Sequence, residues 1–342
     1  MKPGIRIARA AVGLIVILLA GCDNVSFGGA DVAVVPPPPR ASSAPGTEAG
    51  AVEVGGVEPL PSNPVLYYVA RTADGGYMTP VGEILGDSLA LIRSAGDPAT
   101  YAGRFVAEYM REGGEFTLFS RGRRAGTFIV HNASIPETPT CPLLPVATGA
   151  LELSSGVAAV EFLALARADA PVIAARTPPP EVSAGVRSRV APILAERILR
   201  ARGAQLPGNW VRANAQVLAF PAMNLPDPAF AATFLVGDTL GPGINNEGHS
   251  VFFIAIPSRD QTGWDTVYVN FRNYPETGKA APRVVDFLDW SRDDQAELLL
   301  QVYGVNDTWF EAIGSRRDGT WRRIFRDRCE EGGRTLAAPA GN

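Results

Sequence analysis

The chain has 342 residues, of which 46% are hydrophobic, so it is long and apolar enough for one large or two small folded domains. Its 35 acidic residues outnumber 31 basic ones, for a formal net charge of −4. An acidic chain has no electrostatic reason to bind polyanions, which excludes a nucleic-acid partner.

The N-terminus combines a short positive segment with an apolar run. Lys2, Arg6 and Arg9 precede the sequence AAVGLIVILLA at 10–20, which is too short to span a bilayer comfortably as a mature helix. This order of charge and hydrophobicity is typical of a secretory signal. The run ends in the letters LAGC, with the cysteine at Cys22. This ending resembles the lipobox of bacterial lipoproteins.

The lipobox resemblance implies a processed and anchored protein. Residues 1–21 are then a signal peptide, and lipid on Cys22 holds the mature chain at a membrane, outside the cytoplasm. Asp23 resembles an inner-membrane retention signal, but the inner and the outer membrane both stay open, as do the periplasmic and the surface-exposed face. The alternative is an ordinary signal peptide followed by a chance cysteine.

Residues 22–63 are predicted to be a disordered tether. The segment is rich in Pro, Ala and Gly, including four consecutive prolines at 36–39, and poor in large apolar side chains. Such a chain cannot offset the entropy of ordering. The prolines favour polyproline II, so the tether would reach on the order of 120 Å at most, at about 3.1 Å per residue.

Residues 64–175 are predicted to form an α+β domain with a mostly antiparallel sheet. Residues 65–69 are a strand signal, and the Asp-Gly-Gly at 74–76 marks a turn. Asp97 and Pro98 predict the N-cap and first position of a helix that continues to Tyr109. The Arg-Gly pair at 121–122 predicts a hairpin turn between two strands.

Residues 176–209 are predicted to be a Pro-rich linker followed by an amphipathic helix. Apolar residues recur between 186 and 199 at steps of one, three and four, with arginines on the other face. Pro192 either kinks this helix or marks its start. The arginines indicate a solvated face, with a membrane-surface role as the alternative.

Residues 210–330 are predicted to form a second, β-rich domain, and 331–342 a disordered tail. Seven short runs of β-branched and aromatic residues lie between 231 and 325. Sequential short strands with tight turns predict a β-meander, a sandwich or an open barrel. The whole chain is therefore predicted to be α+β and β-rich, with mostly antiparallel sheets and about two helices.

The three cysteines suggest one long-range constraint. With Cys22 lipidated, Cys141 and Cys329 remain as an even pair in an oxidising compartment, which favours a disulfide. Two separate thiols are the alternative.

One loop between predicted strands has the composition of a cation site. Asp289, Ser291, Asp293 and Glu297 place oxygen-bearing side chains at loop positions 1, 3, 5 and 9, and Asp294 adds a carboxylate at position 6. Alternate residues of a tight loop point inward, as Ca²⁺ requires. The stretch resembles the calcium loops of EF-hand-like and FG-GAP proteins, with Ser291 in place of an aspartate and Asp294 in place of the turn glycine. The resemblance implies bound Ca²⁺; a plain polar hairpin loop is the alternative.

The sequence shows no catalytic motif. The two histidines, His131 and His249, lack metal-ligand spacing, and there is no nucleophile elbow, P-loop or dinucleotide fingerprint. Tryptophans in the β-rich part fit core packing better than a glycan platform. The favoured function is a non-catalytic envelope module that binds a protein or a glycan. The alternatives are an envelope hydrolase with an acidic site formed only in three dimensions, and a structural lipoprotein.

Overall fold

The fold was analysed in a computed structural model, which describes residues 58–92, 97–136, 144–172, 180–210, 214–221, 227–243, 247–258, 260, 263–316 and 318–326. These residues contain fifteen strands and three α-helices. The strands are β1 Val65–Thr72, β2 Gly75–Leu85, β3 Ser88–Ala90, β4 Glu115–Ser120, β5 Arg123–Ser134, β6 Val146–Leu153, β7 Glu161–Ala166, β8 Asn214–Phe220, β9 Ala229–Val236, β10 His249–Pro257, β11 Trp264–Asn273, β12 Ala281–Leu288, β13 Glu297–Tyr303, β14 Thr308–Ser315 and β15 Trp321–Arg326. The helices are α1 Pro98–Tyr109, α2 Ala191–Ala201 and the single turn α3 Tyr274–Thr277.

The first strands form a closed six-stranded barrel. The order is β1-β7-β4-β5-β6-β2, and β1 pairs again with β2, which closes the ring; β3 extends β2 outside it. Tyr67 and Phe128 lie in the interior cluster with Phe105 of α1. Gly76 and Gly149 pair across β2 and β6, where an added Cβ would lie 3.0 and 2.9 Å from the Phe128 ring. Glycines at both positions therefore make room for a large ring in a small barrel.

Strand β1 is buried on both of its faces. Tyr67 and Val69 point into the barrel cluster, while Leu66 and Tyr68 alternate with them and join a second cluster outside the barrel. Side chains alternate along a strand, so a strand covered on both faces has a continuous apolar sequence instead of an alternating one. This explains the unbroken run at 65–70.

The last eight strands form two four-stranded antiparallel sheets. We call β8–β11 the outer sheet, with strand order β11-β10-β9-β8, and β12–β15 the middle sheet, with order β12-β13-β14-β15. Phe252 of the outer sheet and Leu298 and Leu300 of the middle sheet share one cluster. The β-rich part is thus a sandwich of two meanders, and the predicted α+β, β-rich, antiparallel fold class is confirmed.

The middle sheet is also covered on its second face. Leu299 and Phe310 point away from the outer sheet and pack with Leu66, Tyr68 and Phe119 on the outside of the barrel. The protein is therefore layered as α2, outer sheet, middle sheet and barrel wall, with apolar clusters between the layers. The predicted boundaries between a 64–175 domain and a 210–330 domain stay a prediction, although the two parts share this cluster.

Helix α2 covers the free face of the outer sheet and starts at a proline. Leu194 and Leu199 of α2 pack with Phe253 of β10. Pro192 lies in the first turn of α2, preceded by a π-helical turn over Val186–Val190. Pro lacks an N–H group and is tolerated only in the first turn of a helix. Helical backbone already begins at Ala184 and continues through the π-helical turn into α2, so Pro192 lies where the helix changes from π to α geometry and not where helical structure starts.

Two polar contacts join the barrel to the middle sheet. Arg283 of β12 pairs with Glu161 of β7 through two hydrogen bonds of 2.5 and 2.7 Å, and Tyr68 donates to the same carboxylate at 2.5 Å. Asp286 of β12 accepts the backbone N–H of Arg121, in the β4–β5 turn, at 2.8 Å. Because each contact spans two layers, both fix how the barrel sits on the sheet.

Candidate functional site

The loop between β12 and β13 is a tight turn held by its own carboxylates. Asp289 accepts hydrogen bonds from the backbone N–H groups of Asp293 and Asp294 at 3.1 and 3.0 Å. Asp293 accepts the backbone N–H of Gln295 at 3.1 Å. Arg292 and Asp294 adopt left-handed φ angles of 62° and 65°. An aspartate therefore makes the sharp bend at the position where the calcium loops have glycine.

Three of the predicted ligands converge. Asp289, Asp293 and Glu297 each offer a carboxylate oxygen, and these oxygens all lie within 4.8 Å of one another. Ca²⁺ binds oxygens at about 2.3–2.6 Å, so two ligands on opposite sides of one ion are about 5 Å apart. The observed separation fits a single Ca²⁺ ion bound between the three side chains.

The cluster concentrates negative charge where water is scarce. Glu297 is 3% exposed and accepts the backbone N–H of Trp290 at 3.0 Å. Burial raises the pKa of Glu297 to about 8. Burial, with a contribution from the charge of Asp293, also raises the pKa of Asp289. No ion pair within the described residues involves any of the three carboxylates. A bound cation would supply the missing positive charge.

The other two predicted ligands have different positions. Ser291 is close enough to Glu297 to lower the pKa of that carboxyl group. The buried Oγ of Ser291 nevertheless has no partner in hydrogen-bonding geometry among the described residues. It therefore borders the cluster as an oxygen still lacking a partner. Asp294 is exposed and lies outside the three-carboxylate cluster.

Sequence reasoning missed the role of Gln295. Its side chain is 6% exposed, and its amide oxygen accepts a hydrogen bond from the Ser315 hydroxyl on β14. The amide nitrogen faces Asp293 at 3.5 Å. Gln295 thus ties the loop to the middle sheet. Nothing in the local pattern distinguishes it from an exposed loop residue, because its burial depends on a strand that comes twenty residues later.

A cleft borders the loop. Its volume is about 630 Å³, and its lining includes Arg121, Phe287, Asp289, Arg292 and Asp294. Asp289 therefore belongs both to the carboxylate cluster and to the cleft wall, whereas Glu297 lines only the cluster. Of the cluster carboxylates, Asp289 is the one that borders the cleft.

The remaining candidate residues fall into two groups. Cys22, Cys141 and Cys329 lie outside the described residues, so lipidation and the disulfide stay predictions. His131 is exposed, and His249 stacks on Phe271 at 6.0 Å between ring centroids. Neither histidine joins a metal-ligating cluster within the described part of the chain.

Two of the four tryptophans between residues 264 and 321 are buried, and the other two are half-buried. Trp290 and Trp309 are 3% and 7% exposed. Trp264 and Trp321 are half-buried and pack at the margins of two apolar clusters. The preference for core packing over a glycan platform therefore holds fully for the first pair.

Comparisons with known proteins identify no relative. No protein-family model, curated protein or solved structure matches the chain. In the described ranges, every helix is too short or too polar to cross a membrane.

Proposed function

We propose that the protein is a lipoprotein of the bacterial envelope whose body is a calcium-stabilised, non-catalytic binding module. The observation that carries the calcium part is the convergence of Asp289, Asp293 and Glu297 within 4.8 Å. The anchor is supported by the positive segment, the apolar run and the LAGC sequence ending at Cys22. Residues 22–57 would hold the body away from the membrane as a tether, whereas the last residues of the predicted tether contact the barrel: Leu60 packs against its interior cluster, and the Ser62 and Asn63 N–H groups donate to Glu83.

The donor set favours Ca²⁺ over other cations. All predicted ligands are oxygens, which suits hard cations and not Zn²⁺ or Cu²⁺. Mg²⁺ demands near-ideal octahedral geometry and keeps several waters, so it fits a fixed, partly buried carboxylate loop less well. Calcium sites of extracellular modules have a Kd of about 10⁻⁴–10⁻³ M, and the moderate number of ligands in this loop is consistent with a Kd in that range.

The cleft next to the loop provides the surface for binding. It combines apolar lining with arginines, and it is wide enough for part of a glycan or for a side chain of an envelope protein. A cation at the loop would fix the Asp289 wall of the cleft, because Asp289 also holds the loop backbone. Calcium would thus stabilise the binding surface instead of taking part in a reaction.

An envelope hydrolase is the second candidate, and one observation favours it. Asp289 lines the cleft, and Glu297, whose pKa is about 8, lies close behind it. A carboxyl group kept protonated by burial beside a second carboxyl group is one arrangement used in general acid–base catalysis. Against this, Glu297 is 3% exposed, does not line the cleft, and is held by the Trp290 N–H group. A buried acid cannot reach a substrate in this conformation.

Thermal unfolding of the full chain in detergent tests the calcium proposal. Melts are recorded with excess Ca²⁺, with Mg²⁺ and with chelator, for the wild type and for Glu297→Gln. The amide keeps an acceptor for the Trp290 N–H group but removes the charge, so the metal-free fold should persist. At a hundredfold excess of Ca²⁺ over its Kd, the wild type should gain about 2.7 kcal/mol.

The control is Asp74→Asn, in an exposed turn remote in sequence from the loop. We expect the calcium-specific gain in the wild type and in this control, and its loss in Glu297→Gln. Identical curves with Ca²⁺ and chelator would show that the loop is an ordinary turn. Hydrolysis of envelope glycans or esters that Glu297→Gln abolishes would instead establish the second candidate.

The anchor is tested separately by acyl-chain labelling. The wild type should incorporate labelled fatty acid and partition into detergent, and Cys22→Ala should do neither. Labelling that persists in Cys22→Ala would overturn the lipobox assignment and leave the calcium result unaffected.

A further inference from the structure

A strongly basic segment lies on the outermost layer of this acidic protein. Residues 187–202 contain five arginines and one acidic residue, Glu196, in a chain whose net charge is −4. All five arginine side chains are exposed. The five are Arg187, Arg189, Arg197, Arg200 and Arg202. We call Arg189, Arg197 and Arg200, together with Ile193, the basic face, because they recur at steps of four, four and three.

An exposed isoleucine lies within the basic face. Ile193, Arg197 and Arg200 recur along α2 at steps of four and three, which places them on one side of an α-helix. Ile193 is 58% exposed, although it is a large apolar residue. The opposite side of α2 is buried through residues such as Leu194 and Leu199. The helix therefore keeps a basic surface with an apolar centre after its own core contacts are made.

The stability of the helix does not account for these charges. Only Arg200 has an ion-pair partner among the described residues, Glu196 four positions earlier. Positive charge is unfavourable near a helix N-terminus and favourable near its C-terminus. Arg200 and Arg202 thus suit the helix end, but Arg187 and Arg189 lie at its start. Their charge opposes the helix dipole and indicates an external anion.

We propose that the basic face docks on the anionic phospholipid surface to which the protein is anchored. This inference rests on the proposed lipid anchor at Cys22, which keeps the body near a membrane. A row of exposed guanidinium groups along one side of a helix suits a plane of fluid phosphate groups. Guanidinium groups pair with phosphates, and Ile193 is placed to enter the headgroup region.

The tether makes this weak contact effective. Its upper reach, on the order of 120 Å, lets the body turn any face towards the bilayer. Anchoring converts docking into an intramolecular event, for which a modest affinity suffices.

Photo-crosslinking on vesicles tests the docking. The full lipidated chain carries p-benzoylphenylalanine in place of Ile193, or in place of Leu85, which is 45% exposed on the barrel, as the matched position. The vesicles are phosphatidylcholine alone, or phosphatidylcholine with phosphatidylglycerol. We expect lipid crosslinks from position 193 only in the anionic vesicles, and few from position 85.

The arginine dependence is tested with two charge-matched triple variants. The first is Arg189→Gln, Arg197→Gln and Arg200→Gln; the control is Arg71→Gln, Arg111→Gln and Arg316→Gln, all exposed elsewhere. Each arginine near an anionic surface contributes about a fivefold gain in affinity, so the first triple should lower the crosslinking yield at least about tenfold. The control triple should retain the yield, and 1 M salt should remove it, because the screening length falls to about 3 Å.

Flotation separates this proposal from the anchor. Flotation with neutral vesicles reports the anchor alone and should be the same for all variants. A chain that floats only with anionic vesicles, in an arginine-dependent way, would refute the anchor and support the basic face. Equal lipid crosslinking from positions 193 and 85, a yield unaffected by the first triple, or protein crosslinks at 193 in intact cells would overturn the docking proposal.

Discussion

Asp286 is a buried carboxylate that forms no close ion pair with the described residues, and the charge of Arg121 only partly offsets its burial, so the stability of the protein should depend on pH. It is 3% exposed, and it accepts the backbone N–H groups of Arg121 and Phe287, each at 2.8 Å. These bonds favour the charged form, but burial outweighs them and raises the pKa of Asp286 from 3.8 to about 7. The perturbation is Asp286→Asn, which has nearly the same shape and no charge.

The sign of the effect follows from proton binding. Between pH 3.8 and about 7 the folded chain holds a proton on Asp286 that the unfolded chain has lost, so stability falls as pH rises through this range. The shift of the pKa from 3.8 to about 7 corresponds to at most about 4 kcal/mol in the free energy of unfolding, and this stabilisation is fully lost above pH 7. Asparagine keeps an acceptor for both N–H groups and has no ionisable side chain. The variant should match the wild type at pH 4 and exceed it by up to about 4 kcal/mol at pH 8.

Urea unfolding followed by tryptophan fluorescence, at several pH values from 4 to 8 with chelator present, measures this difference. Glu297 also titrates in this range, but it affects both proteins equally, so the difference isolates Asp286. Asp286→Ala is the control: it leaves the Arg121 and Phe287 N–H groups without an acceptor, so it should be less stable than Asp286→Asn by about 1–3 kcal/mol per group at every pH. Parallel curves for the wild type and Asp286→Asn would refute the reasoning.

Two further predictions concern buried ion pairs. Glu161→Gln leaves Arg283 buried without its partner, so the free energy of unfolding measured in urea should fall by about 3–5 kcal/mol. Replacing Arg283 by Met in the same chain should largely restore it. The control is Glu196→Gln, which breaks an exposed ion pair and should cost less than about 1 kcal/mol; an equally small loss for Glu161→Gln would contradict the prediction. Lys279 is the one lysine beyond the predicted signal segment. Its side chain is 2% exposed and lies 2.8 Å from Asp238, so an amine-reactive label should modify it only after unfolding, as mass spectrometry would detect. Rapid labelling of the native chain would show that this pair opens.

Local features of the fold could be predicted from the sequence because their causes are local. Asp97 caps α1 by accepting the Ala99 N–H group at 3.1 Å, as the Asp-Pro pair indicated. The Arg-Gly turn at 121–122 joins β4 to β5, with both residues at left-handed φ. The strand signals at 231–325 correspond to β9–β15, since tight turns and β-branched runs are visible in a short window.

The missed features depend on contacts between distant segments. β8 was not predicted, and its Gln216 makes two hydrogen bonds to the backbone of Val284, 2.8 and 2.7 Å long, on another sheet. Strict alternation along β15 would put Ile324 and Phe325 on opposite faces, but a bulge in the pairing with β14 lets both join one cluster. The pairing of β1 with β2 that closes the barrel likewise has no signature in the local sequence pattern.

The candidate site was partly predictable for the same reason. The spacing of Asp289, Asp293 and Glu297 along one loop is a local pattern, and the three converge. The exclusion of Asp294 and the burial of Glu297 and Gln295 depend on the packing of the middle sheet against its neighbours. Carboxylate spacing therefore predicts which groups meet, but not how much water reaches them.

The position of the middle sheet has a consequence for how the chain is made. Its strands β12–β15 come last in the sequence, yet they fill the space between the barrel and the outer sheet. Until they are delivered, Leu66 and Tyr68 on the barrel and Phe252 on the outer sheet have no cover. Until residues 281–326 follow, the part of the chain before Ala281 has two exposed apolar surfaces, and in this interval it is most prone to aggregation and would benefit most from a chaperone.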